Sequence, residues 1–134
     1  MADPDDLSER CTPQRPGDLH EHTLISSGTF ASQPEWRFTK GSKVIIERIR
    51  TRLKTTTNDS AIAASTAGLG IASLLSYQVA DHLRDGRLRV VLQDYEDDPT
   101  PIHVVHYEGR RATQEVRRFI DMAVAALRAD PAIR

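Results

Sequence analysis

The sequence predicts an α/β fold, and three observations carry that expectation. Strand-like and helix-like stretches alternate along the chain without internal repeats. An alanine-rich helical stretch lies between two extended runs, the order of a βαβ unit. The last segment spaces its apolar residues at i, i+3, i+4 and i+7, as an amphipathic helix does. A parallel sheet with right-handed crossovers follows from that order.

Each element has its own local reason. Pro4 to Glu9 predicts a short helix, with proline in its first turn and acids at the positive end of the dipole. Pro16-Gly17-Asp18-Leu19 predicts a second helical turn, and Thr23-Leu24-Ile25 a strand running into a Ser26-Ser27-Gly28 loop. Trp36 and Phe38 alternate with Arg37 and Thr39, and Gly41-Ser42 supplies a turn, so a hairpin is expected. The next strand opens at Val44 and alternates onward, with Ile49, Thr51 and Leu53 facing the core. Arg48, Arg50, Arg52 and Lys54 then face water. Asn58, Asp59 or Ser60 can cap a helix over Ala61–Ala67, which Gly68 ends. Gly70 to Leu75 reads as a buried central strand. Ser76 can cap a helix over Tyr77–Asp85, with Val79 and Leu83 on one side. Leu88–Leu92 predicts a strand, and Asp94 to Pro99 an acidic break. Pro101–Tyr107 is strand-like, Gly109 begins a turn, and Thr113 caps the final helix. There Val116, Phe119, Ile120, Ala123, Val124 and Leu127 form the apolar stripe.

Composition removes several classes of function. Of 134 residues, 39% are apolar and 28% charged, a mixture suited to a globular protein rather than a disordered one. Lys and Arg number 18 against 19 Asp and Glu, a net charge of -1. Binding of nucleic acid by bulk electrostatics needs a basic excess, so no direct nucleic-acid contact is expected. The six positive charges against Glu47 between Lys40 and Lys54 lack interleaved aromatics and read as a solvated sheet face. The acidic Asp94–Asp98 loop could pair with that strip across a subunit contact. The single Cys11 excludes an internal disulfide and fits a reducing compartment. With no apolar run near 20 residues and an acidic start, a cytoplasmic protein without a membrane segment is expected.

No catalytic constellation assembles. His103 and His106 stand three apart in a strand-like run and project to opposite faces, and His20 and His22 diverge at a helix end, so no metal is expected. Neither Ser-X-X-Lys nor Gly-X-Ser-X-Gly occurs. Gly68-Leu69-Gly70 precedes a strand instead of following one, the wrong order for a dinucleotide fingerprint. It reads as a helix-ending glycine followed by a strand-start glycine. No cofactor and no enzymatic activity are expected. One place does suggest binding. Thr55 to Ser60 puts hydroxyls and amides where a strand gives way to a helix, the usual ligand position in an open α/β sheet. Ser26, Ser27, Gly28 and Thr29 follow another strand and could face the same crevice. Capping alone also accounts for Ser, Thr, Asn and Asp at a helix start, and both readings stand at this point.

Runs of residues in a fixed order carry a resemblance. They are Thr12-Pro13-Gln14-Arg15-Pro16-Gly17-Asp18-Leu19, Glu35-Trp36-Arg37-Phe38 and Ala67-Gly68-Leu69-Gly70-Ile71-Ala72. Leu75-Ser76-Tyr77-Gln78-Val79-Ala80, Asp85-Gly86-Arg87-Leu88, Pro101-Ile102-His103 through Gly109-Arg110-Arg111, and Val116-Arg117-Arg118-Phe119-Ile120-Asp121 follow. Together they resemble the C-terminal part of the effector-binding domain of LysR-type transcriptional regulators, over nearly the whole chain.

The resemblance implies a Rossmann-like three-layer subdomain of the periplasmic-binding-protein type II-like fold, truncated relative to the family's two-subdomain domain. Residues 1–98 would be the second subdomain with its lead-in segment, and 99–134 the return of the chain toward the first. Neither the winged helix-turn-helix nor the linker helix is expected. The implied function is sensing of a small-molecule effector, a carboxylate or other small organic anion, in the cleft between subdomains. The implied cleft residues are Ser26, Ser27, Thr57, Asn58, Asp59 and Ser76. A stand-alone interaction module that has lost sensing is the alternative. Under either reading the truncation would leave the stripe from Val116 to Leu127 to fold back on its own subdomain or pack on a second chain. Leaving such side chains wet forgoes roughly 1.5–3 kcal/mol each, so a homo-oligomer or pairing with a related chain is expected.

Overall fold

The computed structural model describes residues 1–28, 35–107 and 113–133; Thr29 and the turn expected at Gly109 lie outside them. The chain divides into two compact units, Met1–Asp98 and Pro99–Arg134.

The first unit opens on helix α1 (Pro4–Arg10), with proline in its first turn and the Asp3 carboxylate accepting the N–H groups of Asp5 and Asp6. A 3-10 turn follows over Pro16–Glu21. Strand β1 (Leu24–Ser27) then lies parallel to β4 (Thr51–Thr55) on one side and to β5 (Ile71–Ala72) on the other. Between β1 and β4 the chain makes an antiparallel hairpin, β2 (Glu35–Lys40) and β3 (Lys43–Arg48), turning at Gly41 with φ 59°.

The sheet sorts β1 by alternation. Leu24 enters a core with Leu7, Leu19, Ile49, Ile71 and Tyr95, against which Trp36, Phe38 and Ile45 of the hairpin pack. Ile25 faces the other way, onto Ala61 and Ala64 of helix α2 (Asn58–Thr66). Sheet, α2 on one face and the α1 side on the other make the expected three layers. The alanine-rich stretch seats closely on the sheet at Ala61 and Ala64, which are buried. The helix ends as the glycine pattern requires. Gly68 N–H bonds to Ser65 O and Leu69 N–H to Ala64 O, with Gly68 at φ 71°, a Schellman arrangement. Gly70 cannot be another residue. At φ 142° a Cβ there would stand 2.3 Å from Thr23 O, because Ile71 N–H bonds that same carbonyl to start β5.

Several expectations are corrected. The single strand expected from Val44 through Lys54 is two strands in different sheets, broken at Ile49-Arg50. Ile49 therefore joins the Leu24 core while Leu53 packs with Ile25. A period of two is the same for one long strand and for two in line, so alternation could not reveal the break. Thr57, not Asn58, Asp59 or Ser60, is the N-cap of α2; its Oγ accepts from Ser60 N–H. The strand expected to be central, Gly70 to Leu75, is β5, only two residues long and at the edge of the β4-β1-β5 sheet, with Ala72 also exchanging hydrogen bonds with Met1. Ser76 caps nothing: Ser76–Gln78 is a 3-10 turn, and helix α3 (Ala80–Arg84) follows with Val79 at its start. Val79 and Leu83 do share one cluster. Leu88–Leu92 is not a strand; Arg89 makes an isolated bridge to Ala2, and Leu92 takes φ 59°.

The acidic loop is partly spent inside this unit. Asp97 pairs with Arg37 Nε at 3.4 Å and accepts the Thr39 hydroxyl on the hairpin's outer face.

In the second unit, Pro101–Tyr107 forms no strand; apolar alternation supplies one face of a ladder but no partner for its backbone. Helix α4 (Gln114–Ala129) has the expected Thr113 cap, whose Oγ accepts from Val116 N–H, with Glu115 in its first turn and Arg128 in its last. Backbone and Thr113 hydroxyl hydrogen bonds hold the Glu115 carboxyl below its usual range. Val116, Ile120, Ala123 and Val124 are half-buried, while Phe119 and Met122 are exposed.

Candidate functional site

The carboxyl ends of β1 and β4 lie side by side, Ser27 opposite Thr55, and Gly28 N–H bonds to Thr55 O at 3.0 Å. Three residues after Thr55, α2 begins. Thr55 Oγ reaches Ser26 O at 3.3 Å and Thr57 O at 3.0 Å, tying the two strand ends to the start of the helix. Here Ser27 Oγ donates to Asn58 Oδ1 at 2.6 Å, and Asn58 Nδ2 donates to Gln78 Oε1 at 3.1 Å. The three half-buried side chains form a polar relay from β1, across α2, to the turn after β5.

The six residues expected at a cleft divide accordingly. Ser27 and Asn58 are brought into contact. Thr57 stands beside them, its hydroxyl occupied by Ser60 N–H and Ser60 Oγ. Asp59 is exposed in the first turn of α2. Ser76 is exposed in the 3-10 turn that carries Gln78. Ser26 neighbours Ser27 in the strand, so its side chain leaves the opposite face of the sheet, beside Lys54 in the register. Sequence reasoning missed Gln78. The available signal was its position after β5 at the same sheet end, obscured because the Tyr77–Asp85 stretch reads as one helix.

Elsewhere in this unit an open groove of about 500 Å³ is lined by Arg15, Pro16, Gly17, Asp18, Ile45, Glu47 and Tyr95. Its charges are already engaged. Asp18 accepts the N–H groups of Gln14 and Arg15, which hold its carboxyl below the ordinary range, and Glu47 Oε2 is 3.2 Å from His20 Nε2. The Ser27–Asn58–Gln78 relay is the better candidate because it leaves polar atoms open.

The family model for the LysR substrate binding domain matches residues 1–128. The chain belongs to that family. Among curated relatives of this LysR substrate-binding domain, an HTH-type transcriptional repressor of Pseudomonas aeruginosa is 26% identical over 99% of this chain and 43% of its own length. The HTH-type transcriptional activator AaeR of Escherichia coli is 27% identical over 86% of this chain and 37% of its own. The chain thus spans about two fifths of the curated relatives it matches. In three dimensions it resembles the regulatory domain of AphB from Vibrio vulnificus, with TM-score 0.78 and 23% identity over 93% of this chain and 62% of that one. The regulatory domain of CrgA from Neisseria meningitidis gives TM-score 0.76 at 22% identity, over 92% of this chain and 61% of that one. These two likenesses support the fold. The relatives named are transcriptional regulators, and among the described residues no helix is long and apolar enough to cross a membrane.

Proposed function

We propose that this LysR substrate-binding domain senses a small organic anion, a carboxylate in the first instance, and passes the signal on without catalysis. Residues 1–98 act as the second subdomain and 99–134 as the segment returning toward the first. The anion binds among Ser27, Thr57, Asn58, Asp59 and Ser76, and Ser26, whose side chain leaves the other face of the sheet, borders the site through its backbone carbonyl. The observation that carries this reading is the Ser27–Asn58 hydrogen bond at the carboxyl end of a parallel sheet, beside the start of α2. Thr57 satisfies the Ser60 N–H, and the remaining first-turn amides of the helix suit negative charge. Binding shifts the population between arrangements of a cytoplasmic oligomer, in which the open stripe of α4 is covered by a second copy or a related chain.

A thermal-shift screen of the 134-residue chain with small aliphatic and aromatic carboxylates tests the reading. A rise in melting temperature that saturates with concentration is expected, and Ser27→Ala should diminish it. If no carboxylate raises the melting temperature while a related chain does, the interaction-module alternative replaces the sensor.

A further inference from the structure

We propose that Gln78 contacts the ligand and that Asn58 is the residue that positions it; this inference rests on the anion-binding reading. A carboxamide offers two unlike ends, an acceptor oxygen and an NH2 with two donors. Asn58 uses its oxygen on the Ser27 hydroxyl at 2.6 Å, which leaves its nitrogen for Gln78. Gln78 answers with its own oxygen at 3.1 Å, and its Nε2 then has no partner among the described residues. One serine hydroxyl is in this way relayed into a free NH2 at the carboxyl end of the sheet. The donor is held from two directions, by Asn58 and by the adjoining Val79, whose side chain is fully buried with Ile62 and Leu88. A fixed NH2 donor selects an acceptor oxygen, and a carboxylate oxygen binds it more strongly than a neutral one. Gln78 therefore sets specificity for ligands that present a carboxylate toward the turn after β5.

Two substitutions separate the parts. Gln78→Met keeps the length of the side chain and removes both the donor and the bond to Asn58. Gln78→Glu keeps an acceptor for Asn58 Nδ2, so the relay and the fold persist, but it replaces the donor with negative charge. Titration calorimetry on the full chain would use a carboxylate that binds the unaltered protein. Gln78→Met should weaken it about tenfold, and Gln78→Glu about a hundredfold. The side-chain amides report independently of any ligand. In the free chain the Asn58 NH2 protons should exchange slowly and those of Gln78 quickly, and carboxylate should slow the latter. Unchanged affinity in Gln78→Glu overturns the role of Gln78 while leaving the anion reading intact. A protected Gln78 NH2 in the free chain reverses the relay and overturns the positioning argument, whatever binds. Failure of every carboxylate to bind the unaltered protein overturns the anion reading and the contact together.

Discussion

Helices α2 and α4 make opposite use of their sequences. Helix α2 has nine residues and scarcely any apolar stripe, yet Ala61, Ile62, Ala64 and Ser65 are buried. Helix α4 has sixteen residues and the clearest stripe in the chain, yet none of its residues is fully buried and Phe119 and Met122 are each 64% exposed. A stripe states which face of a helix gains from cover; it does not supply the cover. Alanine gains little from burial but lets a helix approach a sheet closely, so that Ile25 and Ile62 are enclosed. Burial therefore belongs to a pair of surfaces, and α2 has its partner surface within the first unit.

The contrast is broken most directly where α2 is joined to the sheet. Gly70→Ala should cost about 4 kcal/mol or more, because its Cβ would meet the Thr23 carbonyl and must hold a left-handed φ. Chemical denaturation measures it; a loss below about 1 kcal/mol would mean that β1 and β5 can separate freely.

The next effect is in pH. The Met1 amine donates to Ala72 O at 2.7 Å, and burial lowers its pKa from 8.0 to about 5. Between those values the unfolded chain holds more protons than the folded one, so stability rises with pH through this window and levels off above it. The full difference is about 4 kcal/mol by the shift alone. Stability curves from pH 4 to 9 should show that slope, and acetylation of the amine should flatten it.

Packing comes third. Ile25→Ala should cost about 3 kcal/mol, since Ile25 is fully enclosed between β-strands and α2. Phe119→Ala in α4 should change the stability of the isolated chain by less than about 0.5 kcal/mol. Should the Phe119 variant prove as damaging as the Ile25 one, in a concentration-dependent way, α4 is covered by another chain in solution.

These differences explain which features were legible in the sequence. Local chemistry was: Pro4 and its acids open α1, Gly41 turns the hairpin, Gly68 closes α2 and Thr113 caps α4. Pairing was not. Thr51–Thr55 alternates as cleanly as Lys43–Arg48, and only the position of β1 decides that it belongs to a parallel sheet. Leu88–Leu92 and Pro101–Tyr107 have strand composition without a ladder, because a strand is completed by its neighbour. The candidate site divides along the same line. Ser27 and Asn58 were legible from their places after a strand and before a helix. Their contact, and the part of Gln78, follow from how far β5 carries the chain before the turn at Ser76–Gln78.

The smallest effect isolates the helices from their surroundings. Both begin on a threonine whose hydroxyl accepts the N–H three residues on, Thr57 from Ser60 at 3.2 Å and Thr113 from Val116 at 3.5 Å. An N-cap threonine contributes about 1 kcal/mol when the helix it starts is otherwise held in place. Thr57→Ala should therefore lower global stability by about that much, because α2 unfolds only with the sheet that encloses it. Thr113→Ala acts on a helix that can fray from its end without disturbing a core. Its effect should appear as faster amide exchange over the first turn of α4, with the global transition shifted by less than about 0.5 kcal/mol. Equal global losses from the two substitutions would show that α4 unfolds together with a packed surface, which would put its apolar face under cover in the free chain.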